Sequence, residues 1–289
     1  MVAASPTVLR RHVALQLKEL REAVEPELKR EAVAEHLGCS LGHVRHLETL
    51  VSLPKPLEVR ALLPLYGVPD RVERFLGLVE AARTGKDWWS DFPGVPSWLE
   101  LLLGMEAAAA TMHRYDALVV LGLFQTPAYT AAVIRAQEPD LSEAEVQQRI
   151  QLRQARQDVL TRRPVPPEVY VLLDEAVLYR VTEDPAVTVE QVEHLIKISQ
   201  LPNVHLQVVP FAKGLHAGIN GPFTTLGFGP ELVGDPGIAY TESRIQGTYY
   251  EQADQIQRYR DTWSSVQLQA ATPEETRAIL AHRAEEIAA

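Results

Sequence analysis

Cysteine is almost absent from this 289-residue sequence, and long hydrophobic runs are absent altogether. The single cysteine, Cys39, has no intrachain partner for a disulfide, as expected in a reducing cytoplasm. The longest run of apolar residues or glycine extends from Ala117 to Phe124, whereas a membrane-spanning helix needs about 20 apolar residues. Arg10 and Arg11 are not followed by the apolar core of a signal peptide. We therefore expect a cytoplasmic protein without a membrane segment.

The sequence also has fewer positive than negative residues: it contains 28 Lys and Arg and 38 Asp and Glu, for a net charge of −10. Residues 1–70 contain nine of each sign, so the rest of the chain carries the whole negative excess. Contacts with nucleic-acid phosphates require local cationic charge. We therefore expect any nucleic-acid contact to lie in residues 1–70.

The chain is long enough for about two domains, and 46% of its residues are hydrophobic. Helical periodicity predicts short amphipathic helices at 8–24, 28–36, 40–50, 57–66 and 72–84. Residues 85–94 form a turn-rich joint, in which Trp88 and Trp89 either dock the joint onto a neighbouring element or cover local core. We predict a helical domain at 1–70, a helical and aromatic connector at 71–95 and a second domain at 96–289.

The second domain mixes two kinds of pattern. Helices are predicted at 97–112, 126–137, 142–161, 189–201, 253–266 and 272–288. Short β-branched or aromatic runs bounded by turn residues predict strands at 169–173, 204–210, 222–228 and 237–241. The fold class predicted for the whole chain is mainly α, with an α+β second domain in which helices surround a small mixed β-sheet.

Residues 28–50 predict a helix, a short turn and a second helix, with Ser40 as the N-cap of the second. In a helix-turn-helix, the N-terminal part of the second helix reaches base edges in the major groove. The predicted DNA contacts are Ser40, Gly42, His43, Arg45 and His46. We expect Arg45 to donate to guanine or phosphate and the two histidines to be weaker contacts. A plain helical bundle is the alternative.

Zinc is a second hypothesis for this segment. His43 and His46 share a helix face, and Cys39 and His36 lie near the preceding turn, which are ligand types that zinc accepts. Their spacing matches no standard zinc module. We therefore predict no metal, with Cys39 as a small core residue and the histidines on the surface.

In the second domain, we predict a ligand pocket where the loop at 214–221 meets the strand end at 240–242. His216 and Glu242 would supply its polar contacts, and Phe211, Phe223 and Tyr240 its walls. Capping is the favoured role for Asp174-Glu175, and packing for Tyr249-Tyr250. The sequence contains no nucleophile elbow, P-loop, G-x-G-x-x-G or H-E-x-x-H motif, so no reaction and no cofactor are predicted.

Two sets of motifs follow one another along the chain. The first includes Ala32-Val33-Ala34-Glu35-His36-Leu37-Gly38 together with 17–23, 44, 47–48, 59–63 and 65–68. The second includes Leu201-Pro202-Asn203-Val204 together with 122–126, 172–178, 207–211, 214–218, 221–224, 240 and 242. Together they resemble the actinobacterial Xre/Cro-like regulators that join a helix-turn-helix to a large C-terminal domain of poorly assigned function. The resemblance covers nearly the whole chain.

This resemblance implies a five-helix, Xre-type DNA-binding domain, control of transcription and, in an antitoxin-like arrangement, a small partner protein. The departures fall where DNA contact is expected. The family usually has serine and a lysine or threonine where this chain has Gly42 and His43, and serine and arginine where it has Arg45 and His46. Pro64 stands where the family has a helix-compatible residue.

Two functions therefore remain open. The first is a transcriptional regulator that binds DNA and senses a small molecule or partner protein through its C-terminal domain. The alternative is a repurposed regulator that has lost DNA binding and binds or transforms a small molecule. The apolar helices at 72–84 and 253–289, together with the usual pairing of helix-turn-helix proteins, predict a homodimer.

Overall fold

The structure is a computed structural model that describes residues 5–26, 28–49, 51–92, 95–162, 165–229, 232 and 234–289. Its first part consists of five helices: α1 (Pro6–Glu22), α2 (Arg30–Leu37), α3 (Leu41–Leu47), α4 (Pro56–Leu65) and α5 (Val72–Thr84). This five-helix domain confirms the prediction from the sequence. The helix predicted at 40–50 ends at Leu47, and Leu50 lies outside the described residues.

A single apolar core holds these helices together. It contains Val13 and Leu17 of α1, Val44 of α3, and Phe75 and Val79 of α5, all buried. The predicted connector at 71–95 therefore begins with a helix that packs in the first domain. Pro93 and Gly94 of that connector lie outside the described residues.

A six-stranded sheet organises the second part, with the strand order β3-β2-β1-β4-β5-β6. The strands are β1 (Ala109–Asp116), β2 (Glu168–Asp174), β3 (Val204–Val209), β4 (Phe223–Phe228), β5 (Ile238–Glu242) and β6 (Gly247–Tyr250). β1, β2 and β3 are parallel, whereas β4, β5 and β6 add antiparallel pairs. This mixed sheet confirms the predicted fold class of the second domain.

Helices cover both faces of the sheet. They are α6 (Ser97–Ala108), α7 (Pro127–Gln137), α8 (Glu143–Gln157), α9 (Pro185–Ile198), α10 (Ala253–Gln267) and α11 (Pro273–Ala288). One face carries the large core, in which Met112 and Leu226 pack with residues of α6, α9 and α11. The other face packs against α10, where Tyr115 and Phe223 meet Trp263. Among the described helices, none is both long and apolar enough to cross a membrane.

The predicted helix at 97–112 is wrong in its last turn. α6 ends at Ala108, and β1 begins at Ala109 and becomes the central strand. The run of four alanines at 107–110 favours a helix by propensity. Pairing with β2 on one side and β4 on the other fixes this segment as a strand instead. β6, a four-residue strand that pairs only with β5, was also not predicted.

Helix α1 belongs to both domains. Val8 and Leu9 are buried in the core of the sheet domain, whereas Val13 and Leu17 are buried in the helix-turn-helix core. Trp89, in the short 3-10 helix at Trp88–Asp91, is also buried. The two halves of one helix therefore join the two cores.

Candidate functional site

Helices α2 and α3 form the predicted helix-turn-helix. α2 ends at Leu37 and is capped by Gly38, whose φ of +62° is the left-handed conformation that glycine adopts without strain. After a three-residue turn, the Ser40 hydroxyl accepts a hydrogen bond of 3.2 Å from the His43 N–H at the start of α3. Val33 and Val44 are buried beneath the pair. This arrangement presents the opposite side of α3 to solvent.

The exposed side of α3 carries most of the predicted DNA contacts. Ser40, Gly42, Arg45 and His46 are exposed. His43 is half-buried, and its Nε2 lies 2.8 Å from a carboxylate oxygen of Glu58 in α4. Arg45 is therefore the cation on the outward face of α3, and His43 is held against the next helix.

A buried carboxylate fixes the position of α3. Glu48, at the C-terminal end of this helix, accepts hydrogen bonds from Arg21 Nε at 2.7 Å and Arg21 Nη2 at 3.2 Å. It also accepts a hydrogen bond of 2.7 Å from Arg30 Nε. Because these arginines belong to α1 and α2, a single carboxylate links helices α1, α2 and α3.

The structure does not bring the four candidate zinc ligands into an arrangement that could hold a metal ion. Within the described part of the chain, no group of three or more His, Cys, Asp or Glu side chains is arranged to hold a metal ion. Cys39 is partly buried, and burial, followed by the charge of Glu58, raises the pKa of its thiol. A thiol of raised pKa is a poorer source of the thiolate that metals bind.

The residues predicted to line one ligand pocket lie on opposite sides of the sheet. His216 and Phe223 are on the α10 side, in contact with Tyr115. Tyr240 is on the other side, in the large core, and its hydroxyl donates to Glu242 at 3.3 Å. Phe211 is 56% exposed, in the loop after β3. The structure does not bring the five together, and a ligand role for His216, Phe211 and Phe223 stays a prediction.

His216 takes part in a hydrogen-bond network at the carboxyl ends of β1 and β2. Its Nδ1 accepts from the Gly218 N–H at 3.1 Å, so the ring proton is on Nε2, which points to Asp174 Oδ2 at 3.3 Å. The Tyr115 hydroxyl donates to the same oxygen at 3.2 Å. Asp174 also accepts from the Ala176 N–H, which confirms its predicted capping role. This network ties the 214–221 loop to the sheet.

The polar groups around Tyr240 include arginines that were not predicted as site residues. Arg114, on β1, points to the same side of the sheet as Tyr240, because both are paired with Thr224 of β4. Arg153 and Arg156, on α8, both come close to Gly122, and the charge of Arg153 interacts with those of Arg114 and Glu242. We call Arg114, Arg153 and Arg156 the arginine cluster.

Each member of the arginine cluster has a different partner. Arg114 binds Asp116 through Nε at 2.6 Å and Nη2 at 3.0 Å. Arg156 binds both carboxylate oxygens of Glu106, at 2.8 and 3.1 Å. Arg153 donates from Nη1 to the neutral amide oxygen of Gln125 at 2.7 Å. The i, i+3 spacing of Arg153 and Arg156 is the sequence signal from which a shared helix face could have been predicted.

The fold places this cluster at a characteristic position. In open α/β sheets, ligands bind beyond the carboxyl ends of the strands, where the strand order reverses. Here the chain proceeds from β1 through β2 to β3 in one direction, and β4 then lies on the other side of β1. Arg114 and Asp116 are at the carboxyl end of β1, at this reversal.

The two domains define a helix-turn-helix protein with a large second domain built on a mixed sheet. The family described as "Helix-turn-helix domain" matches residues 12–76, and the one described as "Domain of unknown function (DUF5753)" matches residues 99–282. The chain belongs to the DUF5753 family, and its helix-turn-helix domain suggests a DNA-binding regulator. Comparison with curated proteins and with solved structures gave no match.

Proposed function

We propose that this chain is an Xre-like transcriptional regulator that binds DNA through α3 and senses a small molecule or a partner protein through its C-terminal domain. The observation that carries the proposal is the helix-turn-helix itself, with Arg45 and His46 on the outward face of α3. In such domains this face of the second helix enters the major groove. A regulator of this kind acts in the cytoplasm.

The residues at the start of α3 would each have a different role in DNA recognition. Arg45 would provide the main contact, because an arginine fork can bind guanine or a phosphate through two hydrogen bonds. Gly42 has no side chain and lets the helix approach the groove closely. Ser40 caps the helix, and His46 lies next to Arg45 on the same exposed face. His43 would act mainly through its contact with Glu58, by holding α3 against α4.

Two features support a sensing role for the C-terminal domain. The arginine cluster lies at the reversal of strand order, the usual ligand position in sheets of this kind. Helix α1 inserts Val8 and Leu9 into this domain and Val13 and Leu17 into the helix-turn-helix core. A ligand-dependent shift of the sheet domain would therefore act directly on a helix of the DNA-binding domain.

We further propose that the chain binds DNA as a homodimer, because helix-turn-helix proteins commonly pair to read two half-sites about 34 Å apart. The apolar sides of α5 and α11 pack within the chain, through Phe75 and Val79 in one case and Leu280 in the other. The proposal of a dimer therefore depends on the need to read two half-sites, and not on exposed apolar faces of these helices. The small partner protein implied by the family resemblance stays a prediction.

The test is a mobility-shift titration of the full chain with a duplex from its own upstream region and with an unrelated duplex of equal length. We expect retardation of the upstream duplex at nanomolar protein, since specific affinities are typically about 10⁻⁸ to 10⁻¹¹ M. Binding should weaken as salt rises from 50 to 200 mM. Equal affinity for the two duplexes, or no retardation at 50 mM salt, would contradict the proposal.

The second candidate is a repurposed regulator that binds or transforms a small molecule and no longer binds DNA. The observation that favours it is the balance of nine cationic and nine acidic residues in 1–70, beside a cationic cluster in the other domain. The two candidates differ in one measurable respect. In a regulator, a ligand that changes DNA affinity must itself bind with an affinity that DNA changes by the same factor.

A further inference from the structure

The arginine cluster contains one cation more than its buried carboxylates match. Asp116 neutralises Arg114, and Glu106 neutralises Arg156, each through two hydrogen bonds. In the part of the chain that the structure describes, Arg153 makes one hydrogen bond, to the amide of Gln125, and no ion pair. Its Nε and Nη2 have no protein acceptor there.

The surroundings of Arg153 destabilise its positive charge, which no carboxylate among the described residues neutralises through a hydrogen bond. A methyl group at Gly122 would lie 3.4 Å from Arg153 Nε and 3.6 Å from Arg156 Nη1, so the two guanidinium groups converge on one point of the backbone. Burial, followed by the positive charge of Arg156, lowers the pKa of Arg153 to about 10. Arg114 adds to the same repulsion. Two like charges this close repel each other, so their proximity in a folded protein calls for a functional explanation.

The amide that orients Arg153 is itself fixed. Gln125 is buried, its Nε2 donates to the Val120 carbonyl at 2.5 Å, and its Oε1 also accepts from Thr130 at 3.2 Å. The position of Arg153 is therefore set by a built hydrogen-bond network that supplies no negative charge. Such a preorganised cation is what recognition of an anion requires.

We propose that Arg153 is the centre of a binding site for a small molecule bearing a singly charged oxyanion group, a carboxylate or a phosphodiester. A guanidinium fork matches both groups through two parallel hydrogen bonds. The charge balance favours a single negative charge, because one of the three guanidinium groups lacks a carboxylate partner. The biological meaning of this site rests on the sensing role proposed above.

The negative charge of Glu242 disfavours a ligand that carries more than one negative charge. This exposed carboxylate receives the Tyr240 hydroxyl at 3.3 Å, and its charge acts on both Arg114 and Arg153. It would repel an anion bound to Arg153. Removing this charge should therefore tighten anion binding, whereas removing the charge of Arg153 should abolish it.

The test follows the thermal unfolding of the full chain in the absence of DNA. Sodium benzoate serves as the carboxylate probe and sodium dimethyl phosphate as the phosphodiester probe, with sodium chloride holding the ionic strength constant. We expect at least one probe to raise Tm, by about 5 °C at about 100 times its Kd. The probe that acts identifies the class of oxyanion.

Three variants make the test specific. R153Q should lose the anion-dependent shift, while E242Q should reach the same shift at a lower anion concentration. R149Q is the matched control: Arg149 lies one turn away on α8, paired with Glu138, and its loss should leave the shift in place. Without anion, R153Q should melt at or above the Tm of the wild type, because glutamine relieves the repulsion and leaves no carboxylate unpaired.

Three results would overturn the proposal: no shift of the wild type with either probe, equal shifts in wild type and R153Q, or a large loss of Tm in R153Q without anion. The last would mean that Arg153 has a structural role. Since no DNA is present, failure here leaves the DNA-binding proposal standing. Failure of the mobility shift would equally leave the anion site standing.

Discussion

Arg11 of the first helix is buried against Asp235 of the sheet domain, with 2.6 Å between Arg11 Nη1 and Asp235 Oδ2. Only 2% of the Arg11 side chain is exposed, and none of the Asp235 side chain. The same guanidinium donates to Glu251 at 2.6 Å and to the Gly237 carbonyl at 3.0 Å. One arginine of helix α1 is therefore enclosed by acceptors of the sheet domain.

Breaking this pair should destabilise the whole chain. D235N leaves the charge of Arg11 buried with only the half-exposed Glu251 as a carboxylate partner, and loss of one member of a buried pair costs about 3 to 5 kcal/mol. We expect a loss of about 3 kcal/mol in the free energy of unfolding, measured in urea. R10M, at the exposed neighbour of Arg11, should cost less than about 1 kcal/mol. Similar losses in the two variants would contradict a special role for the buried pair.

The same carboxylate predicts a pH dependence. Burial opposes the charge of Asp235, but His12, whose Nδ1 lies 3.6 Å from Asp235 Oδ2, together with the positive charge and the hydrogen bond of Arg11, lowers its pKa below the ordinary value near 4. A depressed pKa contributes stability that is present above the unfolded value and is lost as pH falls through the folded one. We expect the free energy of unfolding to fall below about pH 4 in the wild type, and less steeply in D235N. Parallel pH profiles for the two proteins would contradict this.

The link through Glu48 should matter for DNA binding. E48Q keeps the shape of the side chain but removes the buried carboxylate that pairs with Arg21, which leaves this guanidinium with only the half-exposed Glu22. We expect a loss of about 3 kcal/mol in stability, and weaker DNA binding because α3 is no longer fixed to α1 and α2. Urea unfolding and mobility shift measure the two effects. E22Q is the control, since Glu22 contacts the same arginine from the surface and should cost about 1 kcal/mol or less.

A glycine at the junction of the two domains offers a further test. Gly237 has a φ of +88°, and a methyl group there would lie 2.2 Å from the Leu226 carbonyl oxygen. G237A must move backbone that also accepts a hydrogen bond from Arg11, so we expect a loss of about 2 kcal/mol or more. G77A, in an open position on α5, should be neutral or stabilise by up to about 1 kcal/mol. Calorimetric Tm values compare them directly.

Local pattern predicted most of the helices and four of the six strands, because each depends on nearby residues. The helix α5 and the cap at Ser40 are examples, since their apolar spacing and capping chemistry lie within a few residues. β1 was missed because an alanine run favours a helix until two neighbouring strands pair with it. The helical start of the sheet domain could be predicted, and its central strand could not.

The candidate sites also differ in whether nearby or distant residues determine them. The outward face of α3 follows from helical periodicity, so the placement of Arg45 could be predicted. The partners of Arg11 lie more than 220 residues away along the chain, and no local pattern indicates them. The predicted ligand pocket placed His216 with Tyr240 because His216 is in a glycine-rich loop and Tyr240 at a predicted strand end, and ligand sites favour such edges. In the structure the His216 ring packs on Tyr115, on the α10 face of the sheet, whereas Tyr240 points to the opposite face.

The most direct test of the account is the affinity of wild type and R45A for the same upstream duplex, measured by fluorescence anisotropy. We predict that R45A binds about 5-fold to 150-fold more weakly, equivalent to about 1 to 3 kcal/mol for a bidentate contact with guanine. R277A, at an exposed arginine on α11, should bind like the wild type. Equal affinities of R45A and wild type, or no binding by the wild type, would contradict the claim that this protein regulates transcription through α3.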